Sequence, residues 1–260
     1  MTRRATSPSS PAPRFSEERH ARILKLLQEK GRVEVLGLAR MMRVSEHTIR
    51  RDLLDLQARG ALQKTHGGAV SLDTARLGFA ERASVLPEAK RAIGRAGAAL
   101  IEPGQTVIID AGSTNLSLAQ ALTARPLTVI TNALDVAALF DADPGVQLVL
   151  TGGTWQTASR ALWGPAACEM LRHCRADWAV PGACSADLGM GVTVTDEADA
   201  ATKRAMVAAA ARTLVLADHS KLHNVSPFGV ARWGDVHTLV SDRAWPEVEA
   251  LGVRVVVAGE

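Results

Sequence analysis

Seven short apolar runs follow one another from residue 106 to the end of the chain, and they constrain its fold more than any other feature. They are TVIID, LTVIT, VQLVLTG, WAVPGA, TLVLAD, HTLVSD and VRVVVA, which begin at residues 106, 127, 146, 178, 213, 237 and 253. Their apolar residues are mostly continuous, which is typical of strands buried on both faces. Helical segments separate the runs. The pattern predicts an α/β domain with a mainly parallel sheet.

The first 70 residues have a different charge balance. They hold 14 Lys and Arg against 7 Asp and Glu, out of 30 and 27 in the whole chain. A module of charge +7 therefore precedes a remainder of −4. A basic module of this size favours a nucleic-acid partner.

Three helices are predicted in this basic module. The first lies between a cap at Ser16 and a stop at Gly31, the second is a short apolar segment, and the third begins after a cap at Ser45 and closes at Gly60. The first helix carries one apolar stripe, formed by Ile23, Leu24, Leu26 and Leu27. The second segment is apolar around Leu36, Leu38, Ala39 and Met42. In the third helix, the residues expected to face inward are Ile49, Leu53, Leu54 and Leu56.

The third helix carries two adjacent arginines, which its buried neighbours hold outward. Arginine suits the major groove of DNA because it bonds guanine at two points, and short polar side chains at the helix start reach bases or phosphates. The candidates on this helix are Ser45, Glu46, His47, Thr48, Arg50 and Arg51. Residues 61–66 predict a strand-turn-strand flap, the wing of a winged helix, and Gly67 and Gly68 let it leave the domain. Taken alone, the two arginines also fit a solvated helix face.

The segment VSEHTIRRDLLDLQARGALQKTHGGA, residues 44–69, resembles the winged helix-turn-helix of the DeoR family of bacterial sugar-metabolism repressors. The family hallmark V-S-x-x-T-I-R-R-D-L, followed by G-x-L-x-x-x-H-G-G-A, is matched at every position. The resemblance implies that the recognition helix begins at Ser45 and that Lys64, Thr65 and His66 lie on or beside the wing. We expect Asp52 to steady Arg51 or a neighbouring backbone group.

The segment VIIDAGSTNLSLAQAL, residues 107–122, predicts a buried strand, a tight turn and a helix. Such a turn points backbone N–H groups and two hydroxyls at the helix N-terminus, which favours a phosphate. A capped turn without a ligand is the alternative on this stretch alone. It matches no nucleotide-binding fingerprint. The segments 131–133, 151–154 and 216–221 also follow strands and should converge on one crevice, with Lys203 and Lys221 as countercharges.

Residues 75–258 are similar to the DeoR-type C-terminal sensor domain, a relative of ribose-5-phosphate isomerase and the CoA-transferases. The segments that carry the similarity are FAER, DAGSTNLSLAQAL, LTVITNA, LTGG, RADWAVPGA, TKRAMVAAA and LADHSK. The resemblance implies a domain that binds a phosphorylated sugar without turning it over. Asp199 stands where a Glu is usual, and Trp178 and Pro181 also depart from the pattern. The expected effector-binding residues are Asp110, Gly112, Ser113, Thr114, Thr131, Asn132, Gly152, Gly153, Lys203, Asp218 and Lys221.

The rival hypothesis is a sugar-phosphate isomerase or transferase with a basic N-terminal extension. An isomerase needs a placed carboxylate, and the acid-rich stretch of the related isomerases is here RADWAVPGACSAD, which retains Asp177 without the paired acids. No nucleophile elbow or metal-ligand spacing is found. The cysteines 168, 174 and 184 are expected to be reduced packing residues. We therefore expect no enzyme activity, no cofactor and no metal.

The expected organisation is a disordered N-terminus over 1–15, a winged helix-turn-helix over 16–70, a linker over 71–90 and a sugar-phosphate sensor over 91–260. The expected function is a cytoplasmic repressor, without a membrane segment, that a phosphorylated sugar releases from its operator DNA. An activator would use the same parts. We expect a homo-oligomer, dimer or tetramer, because one winged helix reads too few base pairs for useful specificity.

Overall fold

A computed structural model describes residues 12–30, 32–58, 61–65, 67–71 and 79–259. The chain forms two compact units, Met1–Leu72 and Asp73–Glu260. Each unit has its own buried apolar core, and each is described by itself below.

The first unit contains three helices and a small antiparallel sheet. Its elements are α1 (Ala12–Lys30), β1 (Arg32–Glu34), α2 (Val35–Met42), α3 (Glu46–Ala58), β2 (Leu62–Thr65) and β3 (Gly68–Ser71). The sheet order is β1-β3-β2. The three predicted helices are confirmed. The strand-turn-strand flap is present, but it extends beyond the expected residues 61–66, because its second strand is β3 over Gly68–Ser71. Helix α1 begins before Ser16, and the predicted stops at Gly31 and Gly60 lie outside the described residues.

The core of this unit lies where α1, α2 and α3 meet the sheet. Ile23, Leu38, Ile49 and Leu53 are buried there. Leu54 was expected to face inward but is 51% exposed, because each helical residue turns by about 100° and Leu54 leaves the face that holds its neighbours. Leu36 is also exposed, since it lies on the outer side of the short helix α2.

Gly68 has a different role from the one the sequence suggested. It is the first residue of β3 and pairs with Glu34 of β1. A Cβ atom at this position would lie 1.9 Å from the carbonyl oxygen of Val33. Glycine is therefore needed for the close approach of β3 to β1, and not for the exit of the flap from the unit.

The second unit is an α/β domain built on a seven-stranded parallel sheet of order β15-β14-β12-β9-β4-β5-β6. Each of the seven predicted runs supplies one strand, so the expected sheet is confirmed. Its strands are β4 (Thr106–Ile109), β5 (Leu127–Thr131), β6 (Val146–Leu150), β9 (Ala176–Val180), β12 (Ala210–Leu216), β14 (Thr238–Ser241) and β15 (Arg254–Val257).

Further short strands lie outside the large sheet. β7 (Thr154–Gln156) and β8 (Ala161–Trp163) form a hairpin, and β10 (Ser185–Asp187), β11 (Gly191–Val194) and β13 (Phe228–Ala231) form a three-stranded antiparallel sheet. The helices of this unit are α4 (Phe79–Ser84), α5 (Pro87–Ala98), α6 (Ser113–Ala121), α7 (Leu134–Ala137), α8 (Pro165–Arg172), α9 (Glu197–Ala208) and α10 (Pro246–Glu249).

Helices cover both faces of the large sheet. Val107 and Ile109 pack into the core that contains residues of α5 and α6, whereas Ile108, between them, packs with Leu171 of α8 and Met206 of α9. Successive strand residues point to opposite faces, so burial of both faces explains the continuous apolar runs. Helix α5 begins at Pro87, within the residues expected to form a linker.

The strand order reverses between β4 and β9. From β4 the chain first adds β5 and β6 on one side, and then β9, β12, β14 and β15 on the other. Loops that leave the carboxyl ends of two such strands turn away from each other and open a crevice. The fold therefore places a crevice at the carboxyl ends of β4 and β9.

Candidate nucleic-acid interface and ligand cavity

A tight turn joins α2 to α3 in the first unit. Arg43 ends α2 in the left-handed conformation, with φ of 54°, and the N–H of Val44 bonds to the carbonyl of Ala39 at 3.1 Å. Ser45 then caps α3, because its Oγ accepts the N–H of Thr48 at 3.1 Å. The Ser45 and Thr48 hydroxyl oxygens lie 2.8 Å apart. The cap predicted at Ser45 is confirmed, and the arrangement is a helix-turn-helix.

The outer face of α3 carries exposed basic and polar side chains. His47, Arg50 and Arg51 are exposed. Arg50 pairs with Glu46 one turn earlier, at 2.9 Å, with side chains 60% and 42% exposed. An exposed pair of this kind contributes only about 0.5 kcal/mol, so another partner can displace it easily.

The flap behind α3 is fixed to the end of that helix. The N–H of Lys64 donates to Oε1 of Gln57 at 2.8 Å. Lys64 and Thr65 are partly buried, and His66 lies outside the described residues. The bond holds β2 beside the exposed face of the helix.

Asp52 has other partners than the expected ones. It is 3% exposed, and its carboxylate accepts two hydrogen bonds from Arg19, at 2.7 and 2.9 Å. His20 Nε2 lies 3.2 Å from the same carboxylate. Asp52 shares the inward face of α3 with Ile49 and therefore meets α1, whereas Arg51 points outward. The expectation that Asp52 steadies Arg51 is wrong.

A cavity of about 550 Å³ occupies the crevice of the second unit. The loops after β4 and β9 form much of its wall, and the first turn of α6 opens into it. Gly112 precedes α6 with φ of 149°, a conformation that favours glycine. The lining residues are Arg82, Ala111, Gly112, Ser113, Thr114, Asn115, Gln156, Ala158, Ser159, Ala161, Trp163, Gly182, Ala183, Cys184, Thr195, Asp196, Asp199, Lys203 and Lys221.

Lys203 is held on one side of the cavity by two carboxylates. Its Nζ lies 2.6 Å from Asp199, one turn earlier on α9, and also contacts Asp110 at the end of β4. Burial lowers the pKa of Lys203, but the two carboxylates outweigh burial and the pKa is raised. Burial in turn raises the pKa of Asp199, although Lys203 opposes this effect. Lys203 is therefore a fixed cation with two acceptors beside it.

Lys221 faces the same cavity in a different environment. Its Nζ lies 3.5 Å from the hydroxyl of Thr114 in the first turn of α6. Among the described residues, no carboxylate lies within 4 Å of this ammonium group. Burial lowers the pKa of Lys221 to about 8, and the opposing effect of Asp218 does not restore it. The cavity thus contains a desolvated amino group beside a helix N-terminus.

Other residues expected at this site support it from outside the lining. Oδ1 of Asn132 accepts the N–H of Ala111 at 3.2 Å, and the hydroxyl of Thr131 donates to the carbonyl of Ile109 at 2.6 Å. Asp218 forms an ion pair with Lys90 of α5 at 2.8 Å. These contacts hold the ends of β4 and β12 in place.

Gly152 and Gly153 also lie outside the lining. A Cβ atom at Gly153 would lie 2.6 Å from the carbonyl oxygen of Trp163, so this glycine serves the pairing of β7 with β8. Residues 131–133 and 151–154 do not line the cavity, although the β7-β8 hairpin that follows β6 reaches it through residues such as Ala158 and Trp163. The expected convergence therefore holds for the segments after β4 and β12 and not for the other two.

Two sequence models of one family match the chain, one in each unit. The model described as the DeoR-like helix-turn-helix domain matches residues 19–75, and the model described as the DeoR C terminal sensor domain matches residues 86–243. The chain belongs to the DeoR family. It is therefore a DNA-binding transcriptional regulator and not an enzyme.

Curated relatives of this DeoR-family chain match along most of its length. It is 33% identical to the HTH-type transcriptional repressor GlcR of Bacillus subtilis, over 88% of this chain and 89% of that protein. It is 35% identical to the transcriptional repressor AccR of Agrobacterium fabrum, over 87% and 90%. The L-fucose operon activator of Haemophilus influenzae is 32% identical, over 86% and 91%.

Several lining residues of this DeoR-type sensor unit were missed from the sequence. Asp199 stands four residues before Lys203, a helical spacing that could have revealed the pair. Asn115 follows the predicted turn directly, and its amide donates to the carbonyls of Asp110 and Val180 at 3.1 and 2.9 Å. Arg82 ends the FAER segment that carries the family resemblance, but its place at the cavity was not predicted. Trp163 gave no local signal, because only the fold brings it to the cavity.

Asp177, the acid retained from the isomerase pattern, also has a structural role in this DeoR-family chain. Its carboxylate accepts the N–H of Thr106 at 2.8 Å, at the start of β4, and it does not line the cavity. The cysteines Cys168, Cys174 and Cys184 are free thiols. Within the described ranges, no group of three or more His, Cys, Asp or Glu side chains could hold a metal ion, and none of the helices could cross a bilayer.

Proposed function

We propose that this protein is a repressor that a phosphorylated sugar releases from its operator DNA. The observation that carries the proposal is the cavity at the carboxyl ends of β4 and β9, into which a helix N-terminus and two buried lysines point. Its volume of about 550 Å³ lies within the range of small-molecule sites, roughly 300–1,000 Å³.

The phosphate would lie over the first turn of α6. Backbone N–H groups at a helix N-terminus are unpaired and favour an anion. Gly112 and Ser113 present that backbone, Thr114 adds a hydroxyl, and Lys221 supplies a cation without a carboxylate partner among the described residues. Burial disfavours the protonated form of Lys221, and a phosphate dianion bound here would favour that form again.

The sugar would lie toward the Lys203 cluster. Asp199 offers acceptors for sugar hydroxyls, and Lys203 offers a donor. Asp196 is less available, because its carboxylate already accepts the N–H groups of Ala198 and Asp199. A carboxylate of the ligand would meet repulsion from Asp199, so this end favours a neutral polyol.

The DNA would lie against α3 and the flap. We propose contacts from the outer face of the helix, where Arg50 and Arg51 are free to reach guanine or phosphate once the weak pair with Glu46 opens. The residues proposed to contact DNA are Ser45, Glu46, His47, Thr48, Arg50, Arg51, Lys64, Thr65 and His66.

Regulation by the effector requires linkage between effector binding and DNA binding. A ligand shifts DNA binding only if it binds the two DNA-binding states with different affinity. Among the relatives above, two carry the name repressor and one the name activator, so we favour release of the operator on effector binding. We also propose a cytoplasmic homo-oligomer, dimer or tetramer, that reads repeated half-sites.

Isothermal titration calorimetry tests the effector part of this proposal. Ribose 5-phosphate, glucose 6-phosphate and fructose 6-phosphate would be titrated into the full-length protein, together with the parent sugars and inorganic phosphate. We expect one sugar phosphate to bind, its parent sugar not to bind, and Lys221→Met to weaken binding at least tenfold. Equal binding of the sugar and its phosphate would contradict the phosphate site, and no binding of any phosphorylated compound would contradict the sensor.

A further inference from the structure

Helix α4 lies, in the sequence, between the DNA-binding unit and the rest of the unit that holds the effector cavity. It is the first described element of the second unit, and only residues 72–78 separate it from β3 of the DNA-binding unit. Because α4 is this close to β3 along the chain, it is a candidate element for coupling the effector cavity to the DNA-binding unit. The cavity contacts of α4 therefore matter more than those of a distant helix.

Arg82 brings α4 to the effector cavity. Arg82 lines the cavity, as do the first turn of α6 and Lys221. The two cations are close enough to affect each other. Burial is the main cause that lowers the pKa of Lys221, and the charge of Arg82 adds to it. An anion between them would be attracted by both and would remove their repulsion.

The turn of the β7-β8 hairpin holds α4 from the other side. The N–H of Phe79 bonds to the carbonyl of Ala158 at 3.1 Å, and the Phe79 ring lies 6.0 Å from the guanidinium of Arg160. Arg160 in turn forms a two-point ion pair with Asp135 of α7, at 2.5 and 2.6 Å. Ala158 and the neighbouring Ser159 themselves line the cavity. The hairpin and α4 thus form one connected wall of the cavity.

We propose that Arg82 binds the anionic group of the effector and that α4, held by the hairpin turn, passes this contact along the chain to the DNA-binding unit. The inference rests on the proposed function, because it names the residue that couples effector binding to operator binding. A guanidinium group suits this coupling role, because it binds a phosphate through two parallel hydrogen bonds and so fixes the orientation of the phosphate. A lysine ammonium group does not fix that orientation.

The proposal separates two quantities that a mutation can change. One is the dissociation constant of the effector, and the other is the factor by which saturating effector changes operator affinity. A residue that only binds the effector changes the first quantity. A residue that also couples the sites changes the second, and more effector does not restore it.

The experiment measures both quantities on full-length protein. The operator would be selected from random DNA by the wild-type protein, and its affinity measured by fluorescence anisotropy without effector and with saturating effector. The probes are ribose 5-phosphate, glucose 6-phosphate and fructose 6-phosphate, with inorganic phosphate as control. The variants are Arg82→Ala, Arg82→Lys and Phe79→Ala, with Arg91→Ala on α5, which is exposed and outside the cavity, as the matched control.

For the wild type and Arg91→Ala we expect a change of about 5–150-fold in operator affinity at saturation. Arg82→Ala should bind the operator normally without effector, bind the effector more weakly, and show less than a twofold change at saturation. Compared with Arg82→Ala, Arg82→Lys should recover more of the effector affinity than of the effector-induced change in operator affinity. Phe79→Ala retains Arg82 and should reduce the change in operator affinity while it leaves the effector dissociation constant within threefold.

A full response of Arg82→Ala at saturation would overturn the inference and leave the proposed function intact. If Arg82→Ala binds no effector, Phe79→Ala decides, and its wild-type response would overturn the inference. A wild-type protein that responds to none of the sugar phosphates would overturn the proposed function and the inference together.

Discussion

The guanidinium of Arg19 on α1 and the carboxylate of Asp52 on α3 form a two-point ion pair, with N···O distances of 2.7 and 2.9 Å. The pair ties the recognition helix to the first helix of the unit from the buried side. The arginines beside Asp52 consequently keep a fixed outward direction. The direction matters because base readout requires placed side chains.

Removal of Asp52 should destabilise the first unit. Asp52→Ala removes the acceptor of two hydrogen bonds from Arg19 and the carboxylate beside His20, and loss of one partner of a mostly buried pair costs about 3 kcal/mol. Asp55→Ala is the matched control, since Asp55 is exposed on the same helix and its loss should cost at most about 0.5 kcal/mol. Urea unfolding followed by circular dichroism measures both. Equal stability of the two variants would contradict the assigned role.

Arg50 should contribute to operator binding. Arg50→Ala should weaken binding by about 1–3 kcal/mol, or about 5–150-fold, if the side chain reads a guanine. Anisotropy titrations on operator DNA measure the change, and Arg172→Ala, an exposed arginine of the second unit, is the control. An unchanged affinity for Arg50→Ala would remove this residue from the recognition face.

A carboxylate at the start of α6 should block the effector. Ser113→Glu places a negative charge where we propose the phosphate lies, so operator binding should persist while sugar phosphates lose their effect. Gln120→Glu adds the same charge near the other end of α6, on an exposed residue, and should respond like the wild type. The measurement is anisotropy with and without effector. A normal response of Ser113→Glu would show that the phosphate lies elsewhere.

Effector affinity should fall as the pH rises through about 8. Burial lowers the pKa of Lys221 to about 8, so the free protein loses this positive charge above that pH, while the sugar phosphate stays a dianion. The charged groups that act on Lys221 are Asp218, Lys90, Cys184 and Arg82. Calorimetry between pH 7 and 9.5 should show a loss of up to about tenfold per pH unit above 8.

Two variants identify the group responsible for this pH dependence. Lys221→Arg keeps its charge over the whole range and should abolish the fall in affinity. Cys184→Ser removes the neighbouring thiol and should retain the fall. A fall that persists in Lys221→Arg would contradict the assigned role of Lys221.

The sequence predicted the elements whose pattern is local. The seven strands follow from continuous apolar runs, and the cap at Ser45 follows from a serine before a helical stripe. The turn before Ser113 was recognisable because a glycine and two hydroxyl residues stand between a buried strand and a helix. In each case the residues that decide the structure lie within about ten positions of one another.

What depended on distant residues could not be predicted. Asp52 finds its partner 33 residues away. Arg82 lines a cavity together with the first turn of α6, a helix that begins 31 residues later, at Ser113. Gly152 follows a strand like the others, but the cavity is lined by the hairpin beyond it and not by Gly152 itself. Local pattern does not show which residues of a loop reach the cavity, so it could not distinguish Gly152 from Gly112.

The most direct test of the account is the binding of the full-length protein to fluorescently labelled DNA from upstream of its own gene. Anisotropy would be measured over a salt series, with and without the panel of sugar phosphates. We expect tight, sequence-selective binding that weakens steeply with salt, and one sugar phosphate that releases the DNA. Weak binding, equal on all DNA and indifferent to every sugar phosphate, would contradict a sugar-controlled repressor.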